Sequence, residues 1–391
     1  MALGPLAPRS VAALRHRLLA WYDEHGRVLP WREHRSTYGV WIAEMMLQQT
    51  TVGVAAPYWE RFVARFPDVT VLAAAPEPEV LASWSGLGYY RRARDLHAAA
   101  RTIVARNGGR FPDSFRAWLA LPGIGRYTAG AIASIAGGER VPAVDANARR
   151  VLLRWLCDSP DAAARAAPRQ LEEAAAALVP ADRPGDWNQA LMDLASVLCR
   201  PVAPACDACP ASPWCRARAA GAADRVPEPP ARRPRSPARL GLLVVLRGGA
   251  LLLLPPGAPP QIDPPPGTVI SRGDFRTLTR GLWGLPSSPW CAVSRPDAGA
   301  AGFGRDAAAG WSAWLIGAGV RAALFRERAG VFRHGITRFN LEVVVACAEL
   351  GGEGGAGVWP PDAVWWGPDE PPPPLSGLAR KALRAASRAP V

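Results

Sequence analysis

Over about the first 220 positions, apolar residues recur at the three- and four-residue spacing of amphipathic helices. The stretches Val11–Trp21, Tyr38–Thr51, Ala93–Arg106 and Gln170–Leu178 each predict a helix. Breaks containing Gly or Pro, such as Phe111–Ser114 and Val179-Pro180, separate such stretches. No alternating run interrupts this part, so it reads as all-α. Residues 224–238 are dense in proline and arginine and predict an extended linker that could track phosphate. Beyond it the period changes. Leu240–Leu246, a Gly248-Gly249 turn and Ala250–Leu254 predict a hairpin. Phe339–Cys347 predicts another strand, and Ala379–Ala386 a closing helix. The pattern thus predicts an all-α domain over residues 1–221, a linker over 222–238, and an α+β domain over 239–391, with no repeat of fixed period.

The chain has 391 residues, 49% apolar and 20% charged, a globular composition long enough for two or three cores. No run approaches the roughly 18 apolar residues of a membrane span. Arg9, Arg15, His16 and Arg17 break the N-terminal apolar stretch, so no secretory signal is expected. A formal net charge of +13 favours a polyanionic partner, most simply nucleic acid. Only one lysine, Lys381, is present, which excludes catalysis by a lysine anywhere in residues 1–380.

Four of the seven cysteines, Cys199, Cys206, Cys209 and Cys215, fall in one window with spacing C-x6-C-x2-C-x5-C. Four thiolates together suit a soft metal centre. Zinc sites usually show two tight cysteine pairs, whereas only Cys206/Cys209 is tight here. The looser outer spacing favours a [4Fe-4S] cluster, with zinc the alternative. Cys157, Cys291 and Cys347 stand singly in apolar surroundings and read as core thiols.

Leu121-Pro122-Gly123-Ile124-Gly125-Arg126 precedes a helical run. Two glycines there allow a tight turn whose free N–H groups, at a helix N-terminus, suit a phosphate. Asp145, in Val144-Asp145-Ala146-Asn147, reads in isolation as the N-cap of the next helix.

The sequence LPGIGRYTAGAI…VDANARR followed by the four-cysteine loop resembles the helix-hairpin-helix, iron–sulfur DNA glycosylase superfamily. The resemblance implies two helical lobes with a cleft, DNA held at Gly123 and Gly125, a [4Fe-4S] cluster on the four cysteines, and a nucleotide flipped into the cleft. Within it, Leu29-Pro30-Trp31-Arg32 and Trp41–Thr50 resemble the MutY-type adenine DNA glycosylases. Tyr127 stands where lyase-active members carry lysine, so no lysine-dependent strand cleavage is expected. Leu240–Leu254 and Gly281–Pro286 resemble the Nudix-like (MutT-like) C-terminal domain of that family. The metal-binding core of a working Nudix box does not follow, so that domain is expected to be non-hydrolytic.

Glu44 lies among Trp41, Ile42, Met45 and Leu47, surroundings that raise a carboxyl pKa and keep a proton for donation. An ionised Asp145 would then stabilise the oxocarbenium ion or attack C1′, as in paired-carboxylate sugar hydrolysis. By resemblance, Tyr127 and Asn147 line the catalytic pocket, and Arg27, Leu29, Trp31, Arg32 and Gln189 enclose the adenine. Gln49, Leu87 and Tyr89 face the orphaned purine, with the Tyr89 ring wedged into the stack. The family usually presents Phe-Ser-His to 8-oxoguanine; here the loop reads Phe332-Arg333-His334. Arginine only donates, and 8-oxoguanine has N7–H where guanine has an acceptor, so weaker 8-oxoguanine selectivity is expected. The resemblance as a whole implies a monomeric, cytoplasmic, nucleoid-associated bacterial enzyme that acts on double-stranded DNA with A opposite 8-oxoguanine or G. The competing expectations are a thymine–guanine mismatch glycosylase on the same scaffold and a non-catalytic iron–sulfur DNA-binding protein.

Overall fold

The computed structural model describes residues 6–228 except 34, and most of 236–387. Outside it fall 1–5, 34, 229–235, 256–257, 259–260, 262–268, 271–281, 289–290, 293–299, 319, 321–322, 337–338, 352–358, 361, 368, 371–372, 374 and 388–391. Two compact units divide the chain, Met1–Ala231 and Arg232–Val391. Among the described residues no helix is long and apolar enough to cross a membrane.

Every described element of the first unit is helical, and two apolar cores organise it. One core gathers buried residues between Leu29 and Ala133, with Trp41, Trp84 and Trp118 almost wholly enclosed. The other combines Leu14, Leu18 and Leu19 of the first helix, Pro8–His25, with residues from Ala148 to Val226. The first lobe is therefore an insertion within the second. Arg15 ties the ends of the second lobe together by donating to the carbonyls of Ala177, Leu178 and Val179. These are the carbonyls that the helix Pro168–Leu178 leaves unpaired at its end. The helix Pro184–Val197 lies so close to the first lobe that a Cβ at Gly185 would sit 2.7 Å from Ile135 Cα.

Several boundaries differ from expectation. The helix expected over 38–51 spans Thr37–Leu47: Gln48 leaves the helical region with ψ 111°, and Gln49 follows with a left-handed φ of 63°. The expected linker is partly structured at both ends. Val226 is fully buried, with its carbonyl accepting from Arg154 Nε at 2.7 Å, and residues from Ser236 onward are strand.

Among the described residues of the second unit, seven strands form a mixed sheet. Its central strand Ser236–Arg247 pairs in parallel with Phe339–Leu350 and turns through Gly248-Gly249 into Ala250–Leu253. Both glycines have positive φ, as a two-residue hairpin turn needs. Leu240, Leu242 and Val244 face a cluster with the helix Gly377–Ala386, and Leu243 and Val245 face one with Trp311 of the helix Ala300–Gly317. Helices thus cover both faces, which explains the unbroken apolar run of the central strand. The helix Ala300–Gly317 has no counterpart in the sequence reading, because its Gly- and Ala-rich start carries no clear period. Of the singly placed cysteines, Cys157 is buried and Cys347 half-buried, while the Cys291 side chain and Gly281 lie outside the described residues.

Candidate active site

The helix Thr37–Leu47 starts on Ser36, whose hydroxyl accepts from Gly39 N at 2.9 Å. Its residues from Tyr38 to Met46 are all buried, and Glu44 among them is only 4% exposed. Burial lifts the Glu44 carboxyl from its ordinary 4.5 to about 7, and the charge of Asp145 adds to the rise. A hydrogen bond from Tyr127 and the charge of Arg32 oppose it without cancelling it. The carboxyl therefore keeps a proton near neutrality, and its Oε2 has no protein partner.

Arg27, Leu29, Trp31, Arg32, Glu44 and Gln189 line one narrow cavity, together with Val40, Leu47, Val52, Ile135 and Met192. Trp31 is both wall and core: it is 5% exposed and meets Trp59 edge-on at 6.0 Å. The two arginines converge on Asp193, which is fully buried. Arg27 Nε donates to its Oδ1 at 2.7 Å, and Arg32 donates from Nη1 to Oδ2 at 2.7 Å and from Nη2 to Oδ1 at 3.0 Å. Burial works against the Asp193 charge, but the Arg32 and Arg27 bonds outweigh it and hold the carboxyl below the usual range. Gln189 is 3% exposed and its Nε2 has no protein partner. A buried donor and a buried, protonatable oxygen without partners in one cavity suit a planar polar ligand that supplies both.

Asp145 is indeed the N-cap of the helix Ala146–Leu156, its Oδ1 accepting from Ala148 N at 2.6 Å. It also acts electrostatically on both Glu44 and Tyr127. Its Oδ2 accepts from Asn147 Nδ2 at 3.0 Å, and Asn147 Oδ1 in turn accepts from Arg150 at 2.9 Å. Arg150 reaches on to the carbonyls of Cys199, at 3.0 Å, and Ala195, at 2.8 Å. Capping thus fixes the carboxylate instead of competing with a chemical role.

Cys199, Cys206, Cys209 and Cys215 line one small cavity and form no disulfide. Arg154, 2% exposed, places Nη1 3.2 Å from Cys199 Sγ and binds the carbonyls of Arg200 and Pro201. Burial pushes the Cys209 thiol up to about 12, so thiolates here need added positive charge. An all-sulfur donor set fits a soft metal group. Among the described residues no three His, Cys, Asp or Glu side chains converge as they would on a single ion.

Gly123 and Gly125 are exposed and lead into the helix Arg126–Ile135, which has no side-chain cap on its first N–H groups. Gly123 has φ 71°, and a Cβ there would lie 2.4 Å from Asp95 Cβ. Gln49 is exposed and Tyr89 is 62% exposed with φ 49°. Leu87 departs from expectation: at 6% exposed it belongs to the first core, because its loop folds the side chain inward. In the second unit Phe332 and His334 are half-buried and Arg333 exposed on the strand Ala323–Ile336. Lys381 Nζ donates to His334 Nδ1 at 3.1 Å.

Residues 42–177 match the model of the HhH-GPD superfamily base excision DNA repair proteins. A Homo sapiens adenine DNA glycosylase is 43% identical over 217 residues, covering 53% of this chain and 40% of that protein. A solved thermostable thymine-DNA glycosylase superposes with TM-score 0.49 and 28% identity, over 54% of this chain and 98% of that one. An adenine DNA glycosylase of Mycobacterium tuberculosis (strain CDC 1551 / Oshkosh) is 39% identical over 217 residues, covering 54% of this chain and 71% of that protein. The chain belongs to the adenine DNA glycosylase family. It spans about 40% of the length of the human member it matches.

The region matched to the superfamily contains both Glu44 and Asp145. Three residues of this adenine glycosylase family member escaped the sequence reading: Asp193, Arg150 and Met192. Met192 lines the cavity and takes a contact from the Tyr127 hydroxyl at 3.7 Å. Asp193 had a signal, as an acid inside the apolar stretch Leu191–Ala195, four residues after Gln189 and on its helix face. Arg150 had none, since its three partners lie on two other segments and on its own helix.

Proposed function

We propose that this protein removes adenine mispaired with 8-oxoguanine or guanine in double-stranded DNA, hydrolysing the N-glycosidic bond without cutting the strand. The carrying observation is Glu44, a buried carboxyl with a pKa of about 7 that shares a cavity with Gln189 and whose pKa the charge of Asp145 helps to raise. Adenine is a poor leaving group until N7 is protonated. Glu44 supplies that proton, and Tyr127 holds its carboxyl in place. Gln189 Nε2 offers a donor to the base edge, while Asp193 keeps Arg27 and Arg32 from swinging into the space. Asp145 then stabilises the cation at C1′ or bonds to it, before water completes hydrolysis. Asn147, bonded to Asp145, keeps that carboxylate aimed.

In this reading the free N–H groups after Gly123 and Gly125 hold a DNA phosphate, and Tyr89 wedges into the stack. The four cysteines hold a [4Fe-4S] cluster, which when bound fixes its loop beside the phosphate backbone and takes no part in bond cleavage. The second unit is a Nudix-like, non-hydrolytic domain. Its residues Phe332, Arg333 and His334 read the base opposite adenine, and the enzyme works as a cytoplasmic monomer.

Single-turnover release of adenine opposite 8-oxoguanine, G and C, followed by hot alkali, tests the activity. Strand breaks should appear only after alkali. Release of thymine from T·G duplexes and none of adenine would overturn the reading. Iron and sulfide analysis of the purified protein tests the cofactor, and zinc alone would refute the cluster.

A further inference from the structure

Arg92 stands in the first turn of the helix Arg91–Asn107 and is 6% exposed. Burial lowers its pKa to about 10, yet it remains a cation at neutral pH. The position is unfavourable to a cation, since the positive end of the helix dipole opposes it. Among the described residues no carboxylate pairs with it, and its Nε is buried without a partner. An apolar side chain would fill this space at lower cost.

What the guanidinium does is bridge three segments. Nη1 donates to the carbonyls of Met45, at 3.1 Å, and Met46, at 2.7 Å, at the end of the Glu44 helix. Those carbonyls lack intrahelical partners, and the negative end of that helix's dipole favours a cation there. Nη2 donates to Thr50 Oγ1 at 3.1 Å, and to the carbonyls of Leu87 and Gly88 at 3.3 Å each. Its Cζ also lies 5.6 Å from the centre of the Tyr89 ring. Thr50 directly follows Gln49 and Gly88 directly precedes Tyr89. Gln49 and Tyr89 are the two exposed residues of this lobe with left-handed, non-glycine backbone. Such a backbone costs about 1–3 kcal/mol and persists only where its surroundings impose it.

We propose that Arg92 is a positioning residue that couples Gln49 and Tyr89 to Glu44, so that the base opposite adenine governs the rate at which adenine leaves. This rests on the proposed function, in which Gln49 and Tyr89 meet that base. One rigid guanidinium fork joins both strained turns to the end of the acid's helix. A displacement of either turn is therefore felt at Glu44 through hydrogen bonds, without a change of fold.

The test uses the full-length protein and single-turnover adenine release from duplexes with A opposite 8-oxoguanine or G. Arg92→Lys keeps the charge but loses the fork, and Arg92→Met removes both. Tyr89→Ala is made in wild type and in each variant. Coupling requires the preference for one opposite base over the other to shrink about tenfold in Arg92→Lys. The effect of Tyr89→Ala should also largely vanish in that background. A uniform slowing on both duplexes, with the Tyr89→Ala effect unchanged, is what mere structural support gives and overturns the proposal. A wild type that releases adenine at equal rates opposite both bases also overturns it, with the activity left standing. Failure of the wild type to release adenine from any duplex sinks the proposed function and the coupling together. If Arg92→Met does not fold, Arg92→Lys and Thr50→Val carry the test. Thr50→Val removes only the bond to the turn of Gln49 and should blunt the effect of Gln49→Ala alone.

Discussion

Glu44 carries opposite demands for stability and chemistry. Its folded pKa of about 7 lies above the ordinary 4.5, so its contribution to stability is complete below pH 4.5 and lost as pH rises through 7. A shift of that size corresponds to about 3 kcal/mol. Glu44→Gln should therefore melt higher than wild type, with a gap that opens between pH 5 and 7 and is constant above about pH 8. Thermal melts across that range check it. Adenine release by wild type should fall as pH rises through 7, and Glu44→Gln should lose about 10²–10⁴-fold at pH 6.5. Asp193 behaves in the reverse way. Asp193→Asn strands Arg27 and Arg32 without their shared acid and should cost about 3–5 kcal/mol, read by denaturant unfolding. The apolar neighbours of Glu44 made its character legible in sequence. The cavity it shares with Gln189 was not, because 145 positions separate them and only packing of the helices Thr37–Leu47 and Pro184–Val197 around one space joins them.

The elements show why some motifs read well. Gly123 and Gly125 stand one residue apart, yet the structure gives them different reasons to be glycine. At Gly123 the φ of 71° and the nearness of Asp95 forbid a side chain, so Gly123→Ala should destabilise the fold by about 1–3 kcal/mol. At Gly125 a Cβ would meet nothing within 4 Å. Gly125→Ala should melt within about 1 kcal/mol of wild type, since an N-cap Ala costs little more, while its methyl crowds an approaching phosphate. Paired melting and DNA-binding titrations separate the two effects. The hairpin was legible because glycine spacing is local. The early stop of the helix Thr37–Leu47 was not, because nothing local to Gln49 requires a left-handed residue; the bonds from Arg92 to Met46 and Thr50 help hold that turn. The strand Ser236–Arg247 began earlier than expected for a similar reason: its first residues pair with Cys291–Ala292 and Phe339–Leu350, segments far along the chain.

At the scale of the whole molecule, the +13 charge and the second unit enter the proposed reading of the duplex. Affinity for DNA should fall steeply with salt, by a log–log slope of about −0.9 per phosphate contacted. Lys381 Nζ can only donate, so His334 Nδ1 accepts and the ring hydrogen sits on Nε2. Burial and the Lys381 charge lower the His334 pKa to about 4, so this ring stays neutral across the working range. Arg333 adds a second group that only donates. A strand segment that offers two donors and no acceptor, where the sequence suggested a loop, answers poorly to N7–H of 8-oxoguanine. Arg333→Ser should raise the preference for 8-oxoguanine over guanine several-fold, by about 1 kcal/mol, in single-turnover assays. An unchanged ratio would place Arg333 on the backbone instead.

Among the described residues, the buried core that the helix Pro8–His25 joins is otherwise made of residues from 148 onward. On a ribosome moving at about 5–20 residues per second, that helix waits on the order of ten seconds for them. The inserted lobe between them can collapse first, because its buried core draws on residues 29–133, whereas the cavity beside Glu44 closes only when Gln189 and Met192 of the helix Pro184–Val197 arrive. Asp145 is capped locally by Ala148 N and Asn147, and the tie that runs from Asn147 through Arg150 to the carbonyls of Ala195 and Cys199 forms once those residues are made. The cavity beside the acid and the tie behind the second carboxylate are thus both completed when the helix Pro184–Val197 packs, so under the proposed function a nascent chain is inert until that lobe closes.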